Sequence, residues 1–283
     1  MRAILFLLLI VAALPLHGQQ GIFIKAGYAW NRPAPSNADV RFMSPPRLGA
    51  PPFAWHNEWT DVDAGSFSSG HAAYAEVGYC ISERVGFSVA GRYVFAPTER
   101  RYSERVGLAG TTAETVYTRR AEKPFFLEPG IRIYVPLSNK VEAHLRAGVL
   151  LPLRHTIHAE TYTSGPGSTP LWETASELRT CFSPGGFGGA DVTADLGAGF
   201  GLFFQGSFGL LSLRALDETV QRIAVAGNDE YTDRLTKAER VVEYGDYVEQ
   251  SSVPANQPSR QPTYLVPFNY WSVEVGVGWS MNQ

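Results

Sequence analysis

Along residues 141–151, VEAHLRAGVLL, the residues Glu142, His144 and Arg146 hold every second position and apolar residues hold the positions between them. A helix would scatter the three polar side chains around its axis. An extended strand puts them on one face and Val141, Ala143, Leu145, Ala147, Val149 and Leu151 on the other, so the segment reads as a strand. The same alternation returns along the chain and predicts eight strands, over residues 21–30, 71–81, 84–96, 124–135, 140–154, 186–199, 200–213 and 268–280.

The connections between them are unequal. Three are tight: Ser82-Glu83, residues 136–139, and Gly199-Phe200-Gly201. Four are long, covering residues 31–70, 97–123, 155–185 and 214–267. Short and long alternate, so every long connection falls at the same end of the strands. A compact soluble domain seldom carries four such loops. An all-β, eight-stranded antiparallel up-and-down transmembrane β-barrel with short periplasmic turns and long external loops carries them routinely. Within the long connections, ETVYTRR, HTIHAETYT, TVQRIAV and RVVEYGDYVEQ hold enough β-branched and aromatic residues to extend strands four, five, seven and eight beyond the membrane.

The faces agree with that architecture. Ile22, Ile24, Ala26, Tyr28 and Trp30 form the first outward set; Ala73, Ala75, Val77, Tyr79 and Ile81 the second; Val85, Phe87, Val89, Gly91, Tyr93 and Phe95 the third. The later strands continue the pattern and end with Trp271, Val273, Val275, Val277 and Trp279, and no outward position is charged. Tyr28, Trp30, Tyr93, Phe95, Phe125 and Trp271 are expected near the external rim, with Tyr79 and Trp279 near the periplasmic one, as two interfacial aromatic girdles.

The opposite faces carry Lys25, Arg92, Arg132 and Arg146 against Glu76, Glu128, Glu142, Asp191, Asp195 and Glu274, with His144 among them, a net of −2. Eight strands leave an interior that side chains can fill. Opposed charges in so narrow a space are expected to pair, because an isolated buried charge is prohibitively costly. The cluster therefore reads as a structural polar plug, with a gated ion path as the alternative. His144, whose ordinary titration range is mildly acidic, is the place where acid would loosen it.

Composition refines the picture. Residues 1–18 read as a cleaved signal peptide: Met1-Arg2 is basic, residues 3–16 are apolar, and Leu16-His17-Gly18 supplies small residues for cleavage. The remaining 19–283 form one barrel domain with no further long apolar run. Charged residues are 18% of the chain, below the usual quarter for a soluble domain, and the net charge of −3 gives no hint of nucleic acid as a partner. Two cysteines, Cys80 and Cys181, are expected at opposite ends of the barrel and unbonded. The first long connection holds six prolines with Trp55 and Trp59; in the fourth, nine carboxylates oppose six arginines and lysines. The glycine run 185–189 has no Lys-Ser/Thr after it, so it reads as a flexible entry into the sixth strand, not a phosphate loop.

With its eight alternating strands, charged interior and long external connections, the chain resembles the small eight-stranded outer-membrane barrels of the OmpA and OmpX type. The resemblance spans residues 21–283 and rests on architecture. It implies a monomer in the outer membrane, surrounded by lipid and lipopolysaccharide and inserted by the barrel-assembly machinery. Such barrels usually end in an aromatic residue; this chain ends WSMNQ, leaving Trp279 as the signal. No peptidoglycan-binding domain follows, so a tethering role is not implied. Some barrels it resembles are lipid A deacylases or acyltransferases. The first need a His-Ser pair on the lipid face and the second an apolar lumen, and neither is read here. His155 and His158 lack a third metal ligand. The expected role is therefore not enzymatic and uses no cofactor or metal: a structural or surface-interaction protein whose loops contact an external protein or glycan, with a narrow porin-like channel as the alternative and a secreted soluble sandwich as a further one.

Overall fold

The computed structural model describes residues 21–34, 57–60, 66–82, 84–97, 100–108, 111–138, 140–164, 170–246 and 254–281. The expected signal segment 1–18 and most of the proline-rich first loop, with Trp55, lie outside the described residues. In chain order the first strands are β1 (Ile22–Pro33), β2 (Asn57–Thr60), β3 (Gly70–Cys80), β4 (Val85–Pro97), β5 (Arg100–Leu108), β6 (Thr111–Ala121), β7 (Phe125–Ser138) and β8 (Val141–Arg154). They are followed by β9 (Ile157–Ser164), β10 (Pro170–Thr180), β11 (Gly185–Gly197), β12 (Phe200–Leu210), β13 (Ser212–Val225), β14 (Val241–Gly245), β15 (Ser259–Pro262), β16 (Leu265–Pro267) and β17 (Tyr270–Ser280).

Strands β1, β3, β4, β7, β8, β11, β12 and β17 close into a barrel in that order. Every neighbour is antiparallel, and closure is made by β1, which pairs with β3 on one side (Lys25 opposite Glu76) and with β17 on the other (Gly27 opposite Gly276). The eight-stranded up-and-down barrel read from the alternation is the one found, with each strand within a few residues of its expected bounds.

The long connections depart from expectation. Among the described residues they are mostly strand, and they unite into a second, nine-stranded sheet ordered β15-β14-β13-β10-β9-β6-β5-β2, with β16 paired to β13. β5 and β6 continue β4 and β7, β9 and β10 continue β8 and β11, and β13 continues β12, so the sheet is a wall rising from one barrel end. The four segments singled out for strand extension all contribute to it. What hid their union is that beyond the apolar band both faces meet polar surroundings, so the period-2 signal fades. The seventh barrel strand accordingly ends at Leu210, not at residue 213, and passes into β13 through Leu211. The glycine run 185–189 is likewise ordered strand, at the start of β11.

At the other end the β11–β12 turn is Ala198–Gly199, one residue earlier than the spacing suggested. Both residues have positive φ, 53° and 79°. A two-residue hairpin needs that mirror-image geometry to match the strand twist, and glycine supplies it without strain.

Inside the barrel, aromatic rings lie over glycines. Phe203 packs on the opposed pair Gly27 and Gly276, and Phe187 on Gly130 and Gly148. A Cβ on Gly148 would meet the Phe187 ring at 2.8 Å and collide with the Pro129 carbonyl. Gly148→Val is therefore expected to cost about 1–3 kcal/mol by overpacking, read as a lower urea midpoint of the refolded protein in micelles. An unchanged midpoint would mean that the lumen has slack at this level.

Where barrel and wall meet, Phe67, Phe126, Phe268, Leu150, Val94, Leu211, Ile157, Leu178, Leu213 and Val266 form one buried apolar cluster. The Ser66–Ser69 turn folds across this mouth. Phe67 N–H donates to the Pro267 carbonyl (3.1 Å), Ser68 Oγ to the Phe268 carbonyl (2.7 Å), and Asn31 Nδ2 to the Ser68 carbonyl (2.9 Å). The cluster joins the wall to the barrel and lays an apolar layer, the seal, over the polar side chains beneath it.

Candidate functional site

Below the seal, the inward positions of all eight strands form a continuous polar network with two centres. The upper one is Arg92, whose side chain is fully buried. Its Nε donates to Glu128 Oε1 at 2.8 Å and its Nη2 to Glu274 Oε1 at 2.6 Å, while Nη1 reaches Asn31 and Ser272 at 3.1 and 2.9 Å. Glu274 also accepts from Gln205 Nε2 and Ser207 Oγ, both at 2.6 Å. The lower centre is Asp191, which accepts from Lys25 Nζ at 2.6 Å and Arg132 Nη2 at 2.8 Å and lies 2.6 Å from His144 Nδ1.

Tyrosines link the two centres. Tyr74 donates to Glu76 Oε2 at 2.6 Å while accepting from Arg146, and Arg132 donates to the same carboxylate at 3.0 Å. Arg146 donates in turn to Glu128 Oε2 at 2.9 Å. Tyr270 donates to Glu128 Oε1 at 2.7 Å, and its ring lies 4.7 Å from the Arg92 guanidinium and beside Phe126. The network thus touches the apolar seal directly. Aromatic faces complete the lining: Phe187 lies 4.6 Å from Arg146, Phe23 5.0 Å from Arg132 and Phe203 5.1 Å from Lys25. Such contacts suit cations that have lost their water.

Nine of the eleven residues expected in the lumen are buried in this network: Lys25, Glu76, Arg92, Glu128, Arg132, His144, Arg146, Asp191 and Glu274. Two are not. Asp195 is exposed near the β11–β12 turn, where Oδ1 accepts from the Gly197 N–H at 2.8 Å; it shares the inward parity but sits in the last pairs of β11, opposite Gly201. Glu142 stands at the mouth with 59% of its side chain exposed, 3.2 Å from His144 Nε2. Without these two, four cations face four carboxylates, and the expected net of −2 in the interior becomes neutral, with His144 beside it. Sequence reasoning passed over Tyr74, Tyr270, Asn31, Gln205, Ser207 and Ser272. Their signal was the shared inward parity with the charges, and they supply the hydrogen bonds that a charge count leaves open.

The outward faces carry no charged residue across the barrel. Val77, Ile131, Leu145, Leu202, Phe204 and Val277 are each at least half exposed. Tyr28, Trp30, Tyr93, Phe95 and Trp271 stand outward at the wall end, and Phe125 is half-buried there; Tyr79 and Trp279 are half-buried at the short-turn end. His71 belongs to this face too: Tyr28 bonds its Nδ1 and Phe95 stacks on it, with no serine in that contact. Beyond the rim outward charge begins at once, with Arg32 over Trp30, Arg154 paired to Glu122, Arg179 to Asp217 (2.6 Å) and Arg214 to Asp246.

Within the wall, Glu218 accepts from Ser176 Oγ at 2.5 Å and from the Tyr244 hydroxyl at 2.9 Å, and Tyr264 stands edge-on to Tyr244. Burial, then the neighbouring Glu218 charge, pushes the Tyr244 hydroxyl well above its ordinary range. His155 is half-buried against Thr180 and His158 lies 3.5 Å from Glu122. Both cysteines are free, Cys80 at the short-turn end and Cys181 at the wall end.

No family model and no curated protein matches the chain. Among solved structures it is similar to the outer membrane protein OprG from Pseudomonas aeruginosa, at 11% identity over 94% of this chain and 98% of that one, with a TM-score of 0.42. It is also similar to Ail, the attachment invasion locus protein of Yersinia pestis solved with the heparin analogue sucrose octasulfate, at 9% identity over 93% and 100%, with a TM-score of 0.32. The fold itself stands on the chain's own strand pairing.

Proposed function

We propose that the protein is an integral outer-membrane barrel, exported and monomeric, whose lumen is a plug and whose wall is a surface for contact with an external protein or glycan. Membrane insertion is supported by the uncharged outward band, flanked by aromatic residues and bounded by arginines at the wall end; a soluble barrel would leave that surface in water. The arginines just above the girdle suit the anionic headgroups of lipopolysaccharide, and Trp279 in β17 is the aromatic offered to the assembly machinery.

The observation that carries the surface role is the second sheet. Nine strands are built beyond the apolar band, above a buried apolar cluster at that end of the barrel. The reading is not enzymatic: among the described residues, the histidine on the outward face bonds the girdle tyrosine Tyr28 and the one in the lumen bonds the carboxylates Asp191 and Glu142. A narrow channel is the second reading, favoured by an open vestibule at the short-turn end.

Two measurements test the proposal. The refolded protein should migrate differently in boiled and unboiled gel samples, as a closed barrel does. Cells displaying the full chain should adhere to glycan- or protein-coated surfaces more than cells displaying a version with residues 213–265 replaced by a short turn. Equal adherence on every coating would defeat the surface role while leaving the barrel intact.

A further inference from the structure

The lumen is not filled to its short-turn end. A cavity of about 810 Å³ opens there, lined by Lys25, Arg132, Lys140, His144 and Thr193, with the carboxylates Glu142 and Asp195 in its wall and Trp279 at its lip. Arg132 is the informative residue. Its side chain is fully buried, and only Nη2 is engaged, by Glu76 and Asp191. Nε and Nη1 are buried with no hydrogen-bond partner. A guanidinium carries five N–H donors, so three of these are buried without an acceptor in a side chain that borders the cavity, and Oε1 of its partner Glu76 is likewise unmet. Buried donors in folded proteins are met by a protein group, an ordered water or an ion, and an unmet one calls for its partner to be named.

The surroundings say what kind of partner fits. Lys25, held by Asp191 and Thr193, lies in the same wall, and Lys140 stands exposed at the entrance on the β7–β8 turn. Three cations thus line the vestibule, two of them held by Asp191 and Glu76, and the carboxylates Glu142 and Asp195 share the lining. Oxygen atoms of an anion are the strongest acceptors for arginine N–H groups.

We propose that the vestibule is a binding site for a small oxyanion, a carboxylate or a phosphate, with Arg132 as its principal donor and Lys140 as the charge at its entrance. The site is separate from the wall and does not depend on the surface role: the apolar seal and the Arg92 centre lie between them. It gives the barrel a ligand on the side away from the wall, where the plug alone would give none.

The test is a titration of the refolded, isotope-labelled full barrel in micelles with inorganic phosphate and, separately, with acetate, at constant ionic strength. The readout is the Arg132 Nε–H signal, identified by its loss in Arg132→Lys, together with the amides of Gly201 and Gly278 in the cavity wall. Saturable shifts at these positions are expected, with the Gly227 amide in the wall unmoved. Lys140→Ala should weaken binding about three- to tenfold, the scale of one exposed charge. Arg132→Lys keeps a cation for Glu76 and Asp191 while removing the spare donors, and should abolish saturation without unfolding the barrel. Shifts reproduced by potassium chloride alone, or unchanged in Arg132→Lys, would overturn the proposal and leave water as the partner of those donors.

Discussion

Arg92→Met is expected to lower the stability of the barrel by roughly 3–5 kcal/mol, the cost of breaking a buried ion pair from one side. Methionine fills much of the volume, so packing is not what fails. The substitution leaves Glu128 and Glu274, both fully buried, without the guanidinium that holds them at 2.8 and 2.6 Å. Glu128 keeps Arg146 and Tyr270, whereas Glu274 keeps only the neutral donors Gln205 and Ser207. Glu274 is therefore the charge that the variant strands. Adding Glu274→Gln should restore most of the loss, because three cations then face three carboxylates and Glu128 keeps Arg146. The measurement is the urea midpoint followed by the folded and unfolded gel bands in micelles. A single variant as stable as the parent would mean that water reaches this level and the network is not sealed. A double variant no better than the single would mean that Arg92 acts through its packing against Tyr270.

The barrel was legible because its physics is periodic. An outward face in lipid tolerates no charge, an inward face in a narrow lumen tolerates charges only as pairs, and the two alternate residue by residue. Nine of the eleven lumen residues followed from parity alone. Asp195 and Glu142 show where parity stops being informative: it gives the direction of a side chain but not its depth, and depth changes at the turns. Tyr74 and Tyr270 show a second gap. Their phenol groups share the inward parity, yet a reading that counts charges passes over the neutral donors that complete each carboxylate's shell. The wall was the least legible part. Outside the apolar band both faces of β6, β9, β10 and β13 meet polar surroundings or one another, so only β-branched and aromatic content betrayed the strands, and nothing local declared that they would pair across four separate connections. Phe67 and Phe268 of the seal lie just before β3 and β17, outside the observed barrel strands, so their meeting is a property of closure and not of any one segment.

That seal changes what opening the barrel requires. In planar bilayers the parent is expected to be silent, and a variant with Arg92→Ser and Glu274→Gln is expected to stay silent as well. It removes one cation and one carboxylate and leaves Glu128 paired with Arg146, but Phe126, Phe268 and Phe67 still lie above them with ring centroids 5.8 and 6.2 Å apart. Ions do not cross a dry aromatic layer, since stripping their water costs far more than thermal energy. Adding Phe126→Ala and Phe268→Ala should produce discrete conductance, by joining the polar lumen and its vestibule to the space inside the wall. Conductance in the charge variant alone would place the barrier in the network and make the aromatic cluster only a joint between barrel and wall. Conductance in the parent would remove the plug altogether and make transport the leading function. The decisive comparison is between the two variants, because both carry the same neutralised centre and differ only in two rings.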